Sequence, residues 1–334
     1  MEVKGLFNVV KKEFIDHLTS RRFIIILALF LIISAVAMHQ GVDDYNKRLE
    51  DYKEYMPQTN VEIEGSHVMP PGKPSIMLIF QRMSYPMAIF GAVLGITMGF
   101  DLITREKESR TLKSLLSHPV YRDEIINGKA VGGILALVFA EGFAFLTLFA
   151  MLLIFSIVPD MDEFWRIVLF GAVSILFFLT YFSIALMGST VSKDSGRALM
   201  CAIIITLVIS LGVPLVGEVL SESVVEEPPQ LPENQYRDDK EARQRFNEEI
   251  KACWEKRGAI EDAINTFTPL FNYFEVSSVV LYGATGEIWH RYGSSVTAGE
   301  DVLEKIWKNI FALIILPVVF FAIAYIKFMR MDIR

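Results

Sequence analysis

Residues Asp101 to Lys129 read DLITREKESRTLKSLLSHPVYRDEIINGK, a charged stretch held between two long apolar runs. A polar segment so flanked lies at a membrane surface, because each neighbouring run is long enough to enter a bilayer. It carries six Lys and Arg residues (Arg105, Lys107, Arg110, Lys113, Arg122 and Lys129), which by the positive-inside tendency assigns it to the cytoplasm. Its middle predicts a short helix, with Leu112, Leu115 and Leu116 at three- and four-residue spacing and Arg110, Lys113 and Ser114 on the other side. Pro119 ends that helix, since the residue before a proline is driven out of the helical region. A second helix starts near Arg122 and Asp123 and runs into the next apolar stretch. Two turns of amphipathic helix fixed on two membrane helices are shaped to be gripped by a partner. The alternative is an ordinary loop whose leucines touch the headgroup layer.

The same residues carry a resemblance. Arg105-Glu106-Lys107-Glu108, then Thr111-Leu112, Leu115-Leu116, Pro119-Val120, Arg122 and Gly128-Lys129 resemble the cytoplasmic loop of ABC-2 type permeases, most of all the NosY-like group tied to multi-copper enzyme maturation. The resemblance implies that this loop is a coupling helix docking on a separate ATP-hydrolysing subunit. It implies an ATPase contact made by Arg105, Glu106, Glu108, Thr111, Leu112, Leu115, Leu116, Pro119 and Arg122. One departure stands out: the family usually has Gly before Thr-Leu, and here Arg110 occupies that place without glycine's backbone freedom. The specific match covers about 25 residues; elsewhere the likeness rests on the number and order of spans.

Composition agrees with a membrane protein. The chain has 334 residues, is 52% hydrophobic, and has a mean hydropathy of +0.39, too apolar for an ordinary soluble domain. A net charge of -7 gives no reason to expect nucleic acid. Cys201, inside an apolar run, and Cys253, in a polar region, make no disulfide framework.

Taken in order, Met1 to Arg22 places Leu6, Val10, Phe14 and Leu18 on one stripe, which predicts an interfacial amphipathic helix. Phe23 to Met38 is the first span. Its basic flank and Ala35-Val36-Ala37 imitate a secretory signal, but the basic region is long and we read a span. His39 to Ser75 is a polar outer loop. Ile76 to Phe100 is the second span, interrupted by Arg82 and Pro86, with Gly91, Gly95 and Gly99 forming a small-residue ridge for close helix packing. That ridge serves contacts within one subunit or a dimer seam.

Ala130 to Val158 and Phe164 to Val191 form a hairpin of spans three and four, and Ala198 to Leu220 is the fifth. Ser221 to Trp307 is an extracytoplasmic cap segment, and Lys308 to Phe328 is the sixth span, followed by a tail to Arg334. Sixteen Lys and Arg fall in the segments so placed inside (Met1 to Arg22, Asp101 to Lys129, Ser192 to Arg197, Lys327 to Arg334). The first outer loop has four, the second none, and the last nine, but that last segment is too long to report topology. Both termini are therefore expected in the cytoplasm of a multi-pass cell-membrane protein. Within the cap, Tyr236 to Asn265 predicts a helix with Phe246, Ile250, Cys253, Ile260 and Ile264 on one face. Phe267 to Tyr282 is too short to span; the resemblance implies a re-entrant helix there, against an amphipathic segment that stays outside.

No catalytic motif emerges. Gly212 and Gly217 have phosphate-loop spacing, but Glu218-Val219 follow in place of Lys and Ser/Thr. His17, His39, His67, His118 and His290 show no metal spacing, and there is no GxSxG elbow. Glu141 is the polar residue deepest in a span, where charge is costly and usually faces a cavity or a partner; packing of a neutral, hydrogen-bonded carboxyl is the alternative. Counting along the spans, Arg82 and Glu218 share a depth of roughly 27 to 30 Å above the cytoplasmic side, which predicts a contact between them near the outer mouth, against interfacial solvation of each alone as the alternative.

The expected architecture is all-α and integral to the membrane: six transmembrane helices, an N-terminal interfacial helix, a cytoplasmic coupling helix, and a large outer segment between spans five and six. The resemblance implies the permease subunit of an ATP-driven exporter, with no cofactor in this chain and ATP with Mg on the partner ATPase. A second permease subunit, as homo- or heterodimer, and membrane lipid are the other expected partners. A polytopic receptor or scaffold binding an extracytoplasmic protein is the second reading, and a membrane enzyme using Glu141 the third. A copurifying ATPase favours the first, ATP-independent capture of an outer protein the second, and activity lost on changing Glu141 the third.

Overall fold

A computed structural model describes residues 2–55, 74–111, 121–226, 240–282 and 302–331, and every regular element among them is helical. Helix α1 (Glu2–Thr19) lies alongside the bundle and breaks at Ser20. The remaining helices are α2 (Arg21–Tyr55), α3 (Met77–Gly99), the single turn α4 (Thr104–Glu108), α5 (Arg122–Ile154) and α6 (Met161–Val191). They are followed by α7 (Ser195–Leu207), a π-helical turn (Val208–Gly212), α8 (Val213–Val224), α9 (Lys240–Asn265), α10 (Pro269–Tyr282) and α11 (Val302–Met329). Six stretches are long and apolar enough to cross a membrane: Arg21–Glu54, Met77–Glu108, Arg122–Ile154, Met161–Val191, Ser195–Val224 and Ile306–Met329.

Helix α6 is the axis of the bundle, in contact with α3, α7, α10 and α11. Its start is fixed locally: Asp160 accepts from the Met161 N–H (2.7 Å), and Glu163 reaches back to the Asp160 N–H (2.9 Å), a reciprocal cap. Phe170, Phe177, Phe178 and Phe182 on α6 are fully buried. Helix α3 approaches this aromatic face through its glycines. A β-carbon on Gly91 would strike the Phe178 ring, and one on Gly99 would lie 2.6 Å from the Phe182 carbonyl oxygen. Removing the side chains lets the two backbones approach closely.

One segment departs from expectation. The polar stretch from His39 is expected to be loop, yet α2 continues unbroken to Tyr55, well past the apolar run. The physical reason is partner packing plus local pairing: Met38 and Val42 are buried, Gly41 lies against Ile79, and His39 and Asp43 pair one turn apart at 3.4 Å. The segment expected to form an outer cap contributes α9 and α10. Helix α9 runs antiparallel along α8, with Arg257 donating to the Val225 carbonyl (3.4 Å), Glu261 accepting from Ser221 (2.8 Å) and Ile264 against Gly217. The chain then turns, and Thr268 donates to the Ile209 carbonyl (3.2 Å), 14 residues beyond Ser195 and so roughly 20 Å along that span. Helix α10 returns along α6, α3 and α11. The pair α9 and α10 thus forms a helical hairpin packed along the bundle.

The π turn explains where the hairpin docks. Pro214 lacks the N–H that would close the preceding helical turn, so carbonyls in Val208–Gly212 are left to find other donors, and Thr268 supplies one.

Candidate functional site: the charged face at the Asp101 to Lys129 end

After α3 the chain turns inward because Ser189, at the end of α6, accepts from the backbone N–H groups of Ile103 (2.9 Å) and Thr104 (3.1 Å). This sets α4 so that Glu106 faces the bundle, 8% exposed. Lys129, two turns into α5 and 2% exposed, donates to Glu13 of α1 at 2.7 Å and lies 2.8 Å from Glu106. Lys12 adds weaker contacts to Glu13 (3.4 Å) and Glu106 (3.9 Å). One buried ammonium between two carboxylates joins α1, α4 and α5, and a buried charge of this kind is tolerated only when so paired. Burial alone would raise the Glu13 carboxyl; the ammonium groups of Lys129 and Lys12 outweigh it and hold the group below its ordinary value. Beside it, burial lowers His17, helped by the nearby Lys129 charge and opposed by Glu13.

The rest of the segment is tied to other helix ends. Lys107 donates to the carbonyls of Ser189 (3.1 Å), Thr190 (2.9 Å) and Ser192 (2.9 Å), placing a cation on the C-terminus of α6, where it complements the helix dipole. Glu108 accepts from the Ser195 N–H (2.6 Å) and hydroxyl (3.0 Å), at the N-terminus of α7. Arg122 donates to the carbonyls of Met329 (3.2 Å) and Met331 (3.0 Å), closing the end of α11. Arg22 of α2 pairs with Asp101 (3.3 Å) and rests over the Phe100 ring. A polar cavity of about 420 Å³ lies between α1 and this segment, with Lys12, His17, Arg22, Asp101 and Arg105 among its walls.

Of the residues expected to meet an ATPase, Arg105 and Thr111 are exposed. Glu106 is turned away from solvent, and Glu108 and Arg122 are engaged within the chain. Leu112, Leu115, Leu116 and Pro119 lie outside the described residues. Arg110 has φ of 56°, the left-handed backbone that favours glycine. Arg110 thus holds the backbone conformation expected of the glycine that the resemblance implies at this place.

A family model for ABC-2 family transporter proteins matches residues 7–333, nearly the whole chain. The chain belongs to the ABC-2 transporter family. The match reaches the family and not the NosY-like subgroup. No curated protein matches the chain. An ABC-2 permease is the membrane component of an ABC transporter, which accords with the six helices long and apolar enough to cross a membrane.

Inside the bundle of this ABC-2 permease the membrane-embedded polar residues are separated. Arg82 on α3 donates to Asp44 on the extension of α2 at 2.7 Å. The expected partner Glu218 is exposed on α8, the helix that carries α9. Equal depth along the spans predicts that pair, but depth says nothing of direction around a span, and Asp44 on α2 is the carboxylate that Arg82 meets. Glu141 is 3% exposed, and neither carboxyl oxygen has a hydrogen-bond partner. It shares the buried stripe of α5 with Leu137, Ala140, Ala144 and Leu148.

Sequence reasoning missed the partners of Lys129. Glu13 is 116 residues away, and nothing in the local pattern links the two. The available signal was a lysine one helical stripe inside an apolar face, at a depth where an unpaired cation is costly. The hydrogen-bonded pair Asn309 and Asn272 (2.9 Å), which ties α11 to α10, was missed for the same reason.

Proposed function

We propose that this permease subunit works in an ATP-driven exporter and is driven through the Asp101 to Lys129 segment by a separate ATPase subunit. Both termini and that segment are cytoplasmic in this reading, the α9–α10 hairpin faces the outside of a cell membrane, and a second permease subunit completes the pathway. ATP and Mg belong to the ATPase, and this chain contributes no hydrolytic residue. The observation that carries the coupling role is that one segment is bonded to five helices: α1 through Lys129, α2 through Asp101, α6 through Lys107, α7 through Glu108 and α11 through Arg122. Force applied to this segment by an ATPase is delivered to most of the bundle at once. Rigid packed contacts pass such displacements on because they do not deform continuously.

Purification of the tagged chain from its native membrane tests this. The account expects a copurifying subunit that hydrolyses ATP. Recovery of the intact, correctly inserted chain with no such subunit contradicts it.

A further inference from the structure

The fifth span changes its winding halfway. At the Val208–Gly212 turn the Val213 N–H bonds the Val208 carbonyl, five residues back, so the turn holds one residue more than an α-helical turn would. The Ile209 carbonyl is left without a backbone donor on two counts. In an α register its donor is the Val213 N–H, which has gone to Val208; in the π register its donor would be residue 214, a proline. Thr268, 2% exposed at the elbow between α9 and α10, fills the gap with its hydroxyl at 3.2 Å. The adjacent Ser210 hydroxyl lies 3.3 Å from that of Tyr181 on α6. Hydroxyls from α6 and from the elbow thus grip consecutive residues of a turn in which no residue is fully buried.

We propose that the Val208–Gly212 turn is a two-register switch: the Thr268 hydroxyl holds it in the π register, and withdrawal of α10 lets it rewind to an α turn that rotates α8 together with α9. The proposal goes beyond the exporter reading and holds for any cargo. The two registers compete for the same atoms. When Thr268 leaves, the Ile209 carbonyl is satisfied again only by recovering the Val213 N–H, and the orphan that Pro214 creates passes to the Ser210 carbonyl. Each register has its orphan carbonyl, and the Thr268 bond decides between them. Rewinding adds one helical step to everything beyond the turn, about 100° of rotation and 1.5 Å of rise. Helix α9 follows α8, to which it is bonded by Glu261 through Ser221 and by Arg257 through the Val225 carbonyl. Thr268 lies just beyond α9, so release of its bond and rotation of α8 are one movement.

The test is the distance between nitroxides on Val168→Cys of α6 and Val219→Cys of α8, both exposed positions, in the purified full chain carrying Cys201→Ala and Cys253→Ala. Thr268→Val removes the hydroxyl at nearly constant shape and should displace the label on α8 by up to about 8 Å, the chord of such a rotation at the helix surface. Thr268→Ser keeps the hydroxyl and should leave the distance as in the wild type. Deletion of Leu211 takes out the extra residue, so that an α turn points α8 where the π turn did. That deletion should give the wild-type distance by itself and restore it in Thr268→Val. A wild-type distance in Thr268→Val, a displaced label in the single deletion, or a displacement in Thr268→Val that the deletion does not reverse overturns the proposal. A displacement in Thr268→Ser equal to that in Thr268→Val overturns it as well.

Discussion

The Lys129 ammonium donates to the Glu13 carboxylate at 2.7 Å, joining the third span to the N-terminal helix with both side chains almost wholly out of water. Glu106 on the other side of the same ammonium brings in the segment after the second span. Lys129→Met should therefore strand two buried carboxylates and cost about 3 to 5 kcal/mol. Hydrogen exchange should show α1 and α4 loosening together. Replacing Glu13 and Glu106 by Leu in the same variant should restore most of the loss. Unchanged protection of α1 in Lys129→Met contradicts this role.

Arg110 holds a left-handed backbone that a side chain disfavours by about 1 to 2 kcal/mol. Arg110→Gly should remove that strain, offset in part by the greater freedom of glycine in the unfolded chain. We expect a net gain of about 0.5 to 1 kcal/mol, read as a higher thermal midpoint in detergent. A lower midpoint would show that the arginine side chain contributes more than its backbone costs.

The glycines of α3 and α5 give a controlled comparison. A β-carbon at Gly99 meets the Phe182 carbonyl at 2.6 Å and cannot be absorbed by a side-chain rotation, so Gly99→Ala should push α3 from α6 and cost about 1 to 3 kcal/mol. Gly142 has nothing within 4 Å, so Gly142→Ala should be neutral or stabilising by up to about 1 kcal/mol through helix propensity. Equal effects at the two positions would count against the close approach of α3 and α6.

Acidification should weaken the docking of α1 in two steps. His17 is lowered from 6.5 when docked, so docking is at full strength above that value; as pH falls below about 6.5 the free helix takes the proton first. Glu13 is lowered from 4.5, so its contribution is present above that value and is lost as pH falls further. Hydrogen exchange of α1 against pH should show both steps, and His17→Gln should remove only the upper one. Tighter docking at low pH would reverse the assigned signs.

Much of this architecture was legible in the residues. The apolar runs marked all six spans because a bilayer demands about 20 apolar residues of each, and the helix expected from near Arg122 and Asp123 into the next apolar run is α5, which starts at Arg122. What escaped depended on contacts remote in sequence. Residues 39 to 55 are polar enough to read as loop, and it is the burial of Val42, the packing of Gly41 against Ile79 and the pairing of His39 with Asp43 that make their helical state intelligible. A charged loop gives no sign of which carboxylate turns inward; for Glu106, Ser189 decides that through bonds to Ile103 and Thr104 that span 85 or more residues. The hairpin depth was hidden likewise, being set by the Thr268 bond to a carbonyl that Pro214 helps to free.

The most direct test of the central claim is the ATP turnover of the reconstituted complex with Leu115→Asp and Leu116→Asp together. If the Asp101 to Lys129 segment couples the ATPase to the spans, losing an apolar contact worth about 1.5 to 3 kcal/mol per leucine should weaken ATPase association and depress the stimulated rate. The spans should remain inserted, since Lys129, Lys107 and Arg122 keep their bonds within the chain. Wild-type association and wild-type turnover in that double variant would contradict the account.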